Sequence, residues 1–163
     1  MRLGILSDTH DELVRTKVAV QLLRDEGAEA LVHCGDLASP PIVAACSVLP
    51  CWFVFGNHDS DAVPALRHAA TEFGATCLEW GGIVELAGKR IGVVHGHMTT
   101  DVCRVLADRP DVLLFGHRHY PVDEVVGKLR RISPGALFRA DRFTVAVLDL
   151  ASNELQTLQV VDS

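Results

Sequence analysis

Nothing in the 163 residues reads as a membrane span: the longest apolar stretch, Ile42 to Gly56, is interrupted by Pro50 and falls short of the roughly 20 residues a spanning helix needs. Excess positive charge is missing as well. Fifteen Lys and Arg stand against 21 Asp and Glu, a formal charge of −6, so the chain has no general attraction for duplex nucleic acid or an anionic membrane surface. No Cys-x-x-Cys pair occurs among Cys34, Cys46, Cys51, Cys77 and Cys103, and the five are read as reduced, mostly buried small hydrophobes. A Gly-x-x-x-x-Gly-Lys-[Ser/Thr] phosphate loop and a Gly-x-Ser-x-Gly nucleophile elbow are both absent. The opening Met1-Arg2-Leu3-Gly4-Ile5-Leu6-Ser7-Asp8 meets an acid where a secretory signal would still be apolar, so a cytoplasmic location is expected.

What is present suits one globular domain over 1–163, large enough to build a core without disulfides or structural metal, so a metal found here would be functional. Low-complexity tracts, long linkers and internal repeats are lacking. Short β-branched or apolar runs predict strands at Arg2–Ser7, Ala30–Cys34, Trp52–Phe55, Arg90–Val94 and Val112–Phe115. Helical spacing runs from Leu13 to a stop at Gly27, from Ser39-Pro40-Pro41 through Leu49, and from Asp61 to a stop at Gly74. The first half therefore reads β-α-β-α-β-α. Closely spaced strands follow at Cys77–Trp80, Ile83–Leu86 and Arg90–Val94, separated by expected turns at Gly81-Gly82 and Gly88-Lys89. A last helix is expected near Thr100–Ala107, and the final third reads as strands at Val122–Val126, Leu129–Ile132, Phe143–Asp149 and Leu155–Val161. The fold class implied is α/β, two packed mixed sheets flanked by helices, rather than one doubly wound sheet.

The residues behind the predicted core strands carry the chemistry. Asp8-Thr9-His10, Gly35-Asp36, Gly56-Asn57-His58-Asp59, His95-Gly96-His97 and Gly116-His117-Arg118-His119 each follow one, and ligands in α/β proteins gather at the carboxyl ends of strands. Five strand ends bearing metal-capable residues point to one site. His33, inside an apolar strand, reads as a hydrogen-bonded core residue, and His68 as an exposed mid-helix one. Gly35, Gly56, Gly96 and Gly116 either give a left-handed turn that aims the next side chain inward or are ordinary loop glycines.

These five blocks, in this order and over Asp8 to His119, resemble the signature of the calcineurin-like metallophosphoesterase superfamily, with the closest likeness to its small, capless bacterial and archaeal phosphodiesterase branch. The resemblance covers essentially the whole chain. It implies one metal ion held by Asp8, His10 and His119, a second by Asn57, His95 and His117, and the Asp36 carboxylate between them. Mixed carboxylate, amide and imidazole donors suit borderline first-row ions and disfavour Ca²⁺; with the resemblance, Mn²⁺ is the expected ion, and Ni²⁺, Fe²⁺, Co²⁺ or Zn²⁺ are alternatives. In an extended His117-Arg118-His119 segment the two imidazoles would face the same side. Two divalent ions, two carboxylates and a bridging hydroxide leave roughly one net positive charge, which draws a phosphodiester anion and offers it an in-line nucleophile. His58, not needed as a ligand in this scheme, is the expected catalytic residue that assists the leaving group. Asp59 either orients His58 or is a surface-turn acid.

Two departures from the branch stand out. Ser133-Pro134-Gly135-Ala136 replaces an Asn-Pro-Gly-Ser stretch, altering any polar support from that segment, and Arg118 stands where a small residue or Thr is common. Arg118 reads as a solvated residue or a substrate contact, and His97 as a neighbour of the ligands. A metallo-β-lactamase-like site fails, because Met98-Thr99-Thr100-Asp101 follows the His-x-His instead of an Asp-His pair. The expected activity is a dinuclear-metal phosphodiesterase with a small phosphodiester substrate, no membrane partner and no stable nucleic-acid partner; a homo-oligomer is open on general grounds. Two alternatives stand beside it. One is a phosphomonoesterase or phosphoprotein phosphatase, whose relatives usually carry longer insertions. The other is a protein-binding scaffold like the retromer subunit of this fold, which lacks the histidine corresponding to His58.

Overall fold

The computed structural model describes residues 1–161. Its first sheet begins with β1 (Arg2–Leu6), which leads through helix α1 (Leu13–Asp25) to β2 (Ala30–His33), through α2 (Pro40–Cys46) to β3 (Cys51–Phe53), and through a 3₁₀ turn (Asn57–Ala62) and α3 (Val63–Phe73) to β4 (Thr76–Cys77). The chain then crosses to a second sheet with β5 (Gly81–Leu86) and β6 (Lys89–Val94), α4 (Thr99–Ala107), β7 (Val112–Leu114), β8 (Pro121–Val126) and β9 (Leu129–Pro134). It returns to the first sheet with β10 (Thr144–Asp149) and β11 (Leu155–Gln159). Strand orders are β11-β10-β1-β2-β3-β4 and β5-β6-β7-β9-β8. β1 to β4 are mutually parallel, as are β6, β7 and β9, while β10, β11, β5 and β8 pair antiparallel.

Sequence periodicity explains the layering. On α1 the buried residues Thr16, Ala19, Val20 and Leu23 recur at three- and four-residue spacing, the apolar stripe of a helix lying on a sheet. They pack with Leu6, Leu31, Phe53 and Phe55 in a core between helices and first sheet. Alternate strand residues turn the other way: Leu3, Ile5, Val32 and Ala146 meet Ile91, Val93, Leu114 and Ile132 in a core between the sheets. α4 covers the outer face of the second sheet through Val105 against Val94 and Leu113. The result is the expected helix–sheet–sheet–helix sandwich. Among the described residues no helix is long and apolar enough to cross a membrane.

Several expected boundaries move: the second helix ends at Cys46 and the third strand runs Cys51–Phe53, and the crossover between the sheets shifts as well. Gly81 and Gly82 lie inside β5 instead of forming a turn, and the strand expected over Cys77–Trp80 shortens to Thr76–Cys77. The crossover falls at Leu78–Trp80, where Gly81 N–H donates to the Leu78 carbonyl and Glu79 has φ 59°. Gly81 serves close packing: a Cβ there would lie 3.0 Å from Val94 and 3.1 Å from Val105. Gly74, by contrast, stops α3 as expected, with φ 74° and the following N–H returning to Ala70. All five cysteines are free; Cys34, Cys46 and Cys51 are buried, Cys77 is half-buried and Cys103 exposed.

Candidate functional site

The parallel strands β1, β2 and β3 of one sheet and β6 and β7 of the other end on the same side of the molecule, and the loops that follow them converge. Asp8 and Asp36 sit at the bottom, each with one carboxylate oxygen tied down and the other aimed inward. Asp8 Oδ2 accepts from the Ser7 hydroxyl at 2.5 Å and from the His117 N–H at 3.0 Å. Its Oδ1 lies 3.1 Å from His119 Nε2, 3.9 Å from His95 Nε2 and 4.0 Å from His10 Nε2. Asp36 Oδ1 accepts the His58 N–H at 2.9 Å, while Oδ2 lies 3.2 Å from His10 Nε2 and 3.3 Å from His95 Nε2. Asn57 Oδ1 is 3.0 Å from His95 Nε2.

These distances are short for groups that nothing separates. His95 Nδ1 lies 2.8 Å from the Cys34 carbonyl and His119 Nδ1 lies 3.2 Å from the Arg139 carbonyl. A carbonyl only accepts, so each Nδ1 carries a proton and Nε2 is the nitrogen turned toward the oxygen acceptors, where a neutral imidazole would offer a lone pair. Lone pairs facing lone pairs call for a cation. Among the described residues, buried Asp8 Oδ1 and His10 Nε2 have no hydrogen-bond partner, which suits them to hold a cation. Three groups, Asp8-His10-His119, His10-Asp36-His58 and Asp8-Asp36-His95, each bring their donor atoms within 4.8 Å of one another. Burial opposes charge on His95, yet its hydrogen bond to Asp36 and the Asp8 and Asp36 charges push its pKa above the ordinary value. Burial likewise opposes charge on Asp36, but the His10 and His95 contacts hold it far below the usual carboxylate range. The cluster is short of positive charge, and the residues present fit divalent metal.

The backbone is strained at these positions. Asp8 (φ 52°), His10 (φ 42°), Asp36 (φ 59°), His117 (φ 71°) and His119 (φ 59°) are all left-handed, a conformation that costs non-glycine residues about 1–3 kcal/mol each and clusters at functional sites. The expectation of an extended His117-Arg118-His119 segment is therefore corrected: two left-handed residues, not strand alternation, aim the imidazoles. The glycine expectation divides. Gly35 and Gly96 do have positive φ, 99° and 102°, but Gly56 is extended at φ −104°. Gly56 and Gly116 are required by proximity, since a Cβ would lie 2.1 Å from Asp36 Oδ1 in the first and 2.0 Å from Ser7 Oγ in the second.

The remaining sequence candidates take the following places. His58 is exposed, with its ring 4.8 Å from that of His10. His117 is exposed and outside the three donor groups, its ring 5.1 Å from His95. His97 is half-buried, 5.3 Å from the His95 ring, with a buried Nδ1 lacking a partner. Arg118 is exposed and donates to the Tyr120 hydroxyl at 3.4 Å. His68 is exposed beside Glu72. His33 is fully buried, as expected: Nδ1 accepts the Gly35 N–H and Nε2 lies 3.1 Å from Thr9 Oγ1, whose hydroxyl donates to the Asp36 carbonyl.

Asp59 fits neither expected role. It is fully buried, and its carboxylate accepts the N–H groups of Gly56 at 2.8 Å, Asp36 at 2.9 Å, Ala38 at 2.8 Å and Leu37 at 3.3 Å. One side chain thus joins the β2 loop to the β3 turn beneath Asp36 and Asn57. The Ser133–Ala136 segment leads to Leu137, whose N–H supports the Asp8 carbonyl at 3.2 Å. Sequence reasoning missed Phe138, whose ring stacks 4.6 Å from His10, and the Cys34 and Arg139 carbonyls, which no residue identity announces.

A family model described as the calcineurin-like phosphoesterase superfamily domain matches residues 1–153. The chain is 26% identical over 163 residues to a phosphodiesterase of Methanocaldococcus jannaschii, covering 97% of this chain and 98% of that protein. It is 30% identical over 152 residues to the phosphodiesterase YfcE of Escherichia coli, covering 84% and 79% respectively. The solved structure of an archaeal phosphodiesterase superimposes with a TM-score of 0.86 at 26% identity, over 98% of this chain and 99% of that one.

Proposed function

Because the chain belongs to the calcineurin-like phosphoesterase superfamily, we propose that it is a metal-dependent phosphodiesterase formed by a single domain over 1–163, acting on small phosphodiesters. The observation that carries this reading is the pair of buried, unpartnered atoms Asp8 Oδ1 and His10 Nε2 among converging acceptors. Asp8, His10 and His119 would hold one divalent ion, Asn57, His95 and His117 a second, with Asp36 shared. Bound there, such ions supply positive charge to the phosphoryl oxygens and a nucleophile at neutral pH. The mixed donor set suits first-row divalent ions, with Mn²⁺ proposed ahead of Ni²⁺, Fe²⁺, Co²⁺ or Zn²⁺ on the resemblance and not on donor affinity.

The chain's own residues do the rest. The Cys34 and Arg139 carbonyls fix which nitrogen of His95 and His119 carries the proton. Asp36 is held in register by the His58 N–H. The His58 imidazole, exposed beside His10, would give its proton to the departing alkoxide and recover another from solvent. Five free cysteines suit a reducing, cytoplasmic setting.

The test is removal and return of metal. Chelation should abolish hydrolysis of bis(p-nitrophenyl) phosphate, Mn²⁺ should restore it, and far-ultraviolet circular dichroism should be unchanged. Elemental analysis should find two ions per chain, fewer after Asp36→Asn. Full activity in chelator, or no diester hydrolysis with any first-row ion, overturns the proposal.

A further inference from the structure

Beside the metal-capable cluster, the two sheets part at their free edges. β11 is the last strand of the first sheet and β8 the last of the second. On β11, Thr157 stands opposite Ala146 and Gln159 opposite Thr144, and residues directly opposite in an antiparallel pair share a face. Ala146 belongs to the core between the sheets, so Thr157 and Gln159 face the second sheet, but both remain exposed. The space so left is a cleft of about 500 Å³ whose lining includes His119, Tyr120, Asp141, Arg142, Thr157 and Gln159.

The cleft begins at the site and has the lining of a binding pocket. His119, with Nε2 3.1 Å from Asp8 Oδ1, is a wall of both. Tyr120, the only tyrosine in the chain, is 52% exposed at the junction. An exposed phenol ring offers a stacking face. A threonine hydroxyl and a glutamine carboxamide can both donate and accept, as the edge of a nucleobase requires. The Asp141 carboxylate accepts from hydroxyls, as a ribose demands, and the Arg142 guanidinium offsets that charge near a phosphate. Pockets for nucleoside-sized groups fall in this volume range, whereas a methyl or glyceryl group would leave most of it to water.

Resting on the phosphodiesterase reading, we infer that this cleft is a nucleoside subsite and that the preferred substrates are nucleotide diesters. The side is also assigned. The rings of His58 and His119 both neighbour that of His10, with centroids 4.8 and 5.7 Å from it, and of the two His119 lines the cleft. A leaving oxygen served by His58 departs beside that ring, and the substituent retained on phosphorus lies on the His119 side, over Tyr120.

The experiment compares two esters with one leaving group, thymidine 5′-(p-nitrophenyl) phosphate and methyl p-nitrophenyl phosphate, on the Mn²⁺-loaded protein. The nucleoside ester should have the higher kcat/KM by roughly tenfold or more, the worth of one base stacked on an aromatic ring. Thr157→Trp fills the cleft from an exposed edge position and should lower kcat/KM for the nucleoside ester more than for the methyl ester, so that the advantage is lost; Tyr120→Ala should reduce it. Equal kcat/KM for the two esters in the wild type, or an advantage that survives Thr157→Trp, overturns the subsite and leaves the phosphodiesterase standing. Hydrolysis of neither ester overturns both.

Discussion

Replacing Asp59 tests whether the site is held by its ligands or by the backbone beneath them. Oδ2 accepts from Gly56, Asp36 and Leu37, and Oδ1 from Ala38. Asparagine has nearly the same shape, but its carbonyl can replace only one of these oxygens. With the carbonyl at the Oδ2 position, the amide NH₂ faces the Ala38 N–H, donor against donor. A buried donor without a partner costs about 1–3 kcal/mol, so Asp59→Asn should lose about that much. Asp59→Ala strips all four donors and should lose about 4 kcal/mol or more, a large part of the roughly 5–15 kcal/mol that holds a domain folded. Urea unfolding of the metal-free proteins measures this without interference from bound ions. At a slope of about 1–3 kcal/mol per molar, the asparagine midpoint should fall by roughly 1 M with an unchanged slope. An unchanged midpoint, together with a turnover defect that grows with leaving-group pKa, would instead make Asp59 the residue that orients the His58 ring.

Three further outcomes are expected. Gly116→Ala would put a methyl 2.0 Å from Ser7 Oγ and 2.7 Å from Asp8 Oδ2, costing about 1–3 kcal/mol by overpacking and lowering metal content by elemental analysis; normal stability with full metal would contradict the close-approach argument. His58→Ala should keep its metal yet lose roughly 10²–10⁴-fold in turnover, less for acidic leaving groups, and parallel leaving-group slopes in variant and wild type would remove it from the acid role. Burial drops His33 from 6.5 to about 3, so the unfolded chain takes up a proton through that window and the folded one does not; acid should cost up to about 5 kcal/mol of stability between those values. His33→Gln, compared by unfolding at pH 7 and 4, should lose less than wild type; equal losses would place the acid sensitivity elsewhere.

The strand ends were legible because two signals coincide there. A short apolar run ending in Asp8, Asp36, Asn57, His95 or His117 joins a β-pattern to residues whose chemistry is costly to leave unpaired, and the parallel order of β1, β2 and β3 follows from helices set between them. Less legible was how the side chains reach one another. Side-chain alternation holds for extended chain, whereas His117 and His119 sit in left-handed turns held by contacts from distant segments, such as the His117 N–H on Asp8. The place of Asp59 is hidden in the sequence for a related reason: its four partners are main-chain groups, and an N–H carries no mark there. Gly116 and Gly56 show the same limit, since steric need for glycine depends on what passes overhead.

The origin of the donors ties site to fold. Asp8, His10, Asp36, Asn57 and His58 follow strands of the first sheet, and His95, His117 and His119 follow strands of the second. Contacts between the groups cross that boundary, among them Asp8 to His119 at 3.1 Å, Asp36 to His95 at 3.3 Å and Asn57 to His95 at 3.0 Å. The distances therefore depend on how the sheets dock, which is set by Ile5, Val32 and Val54 against Val93 and Leu114. A close-packed interface of that kind resists displacement, and so it can keep five left-handed residues in place where isolated loops would relax. A cation shared across the boundary would work in the same direction, because it would bind only the docked arrangement and so stabilise it. The apolar layer between the sheets and the polar cluster at its end are two parts of one joint, the first fixing the positions that the second needs.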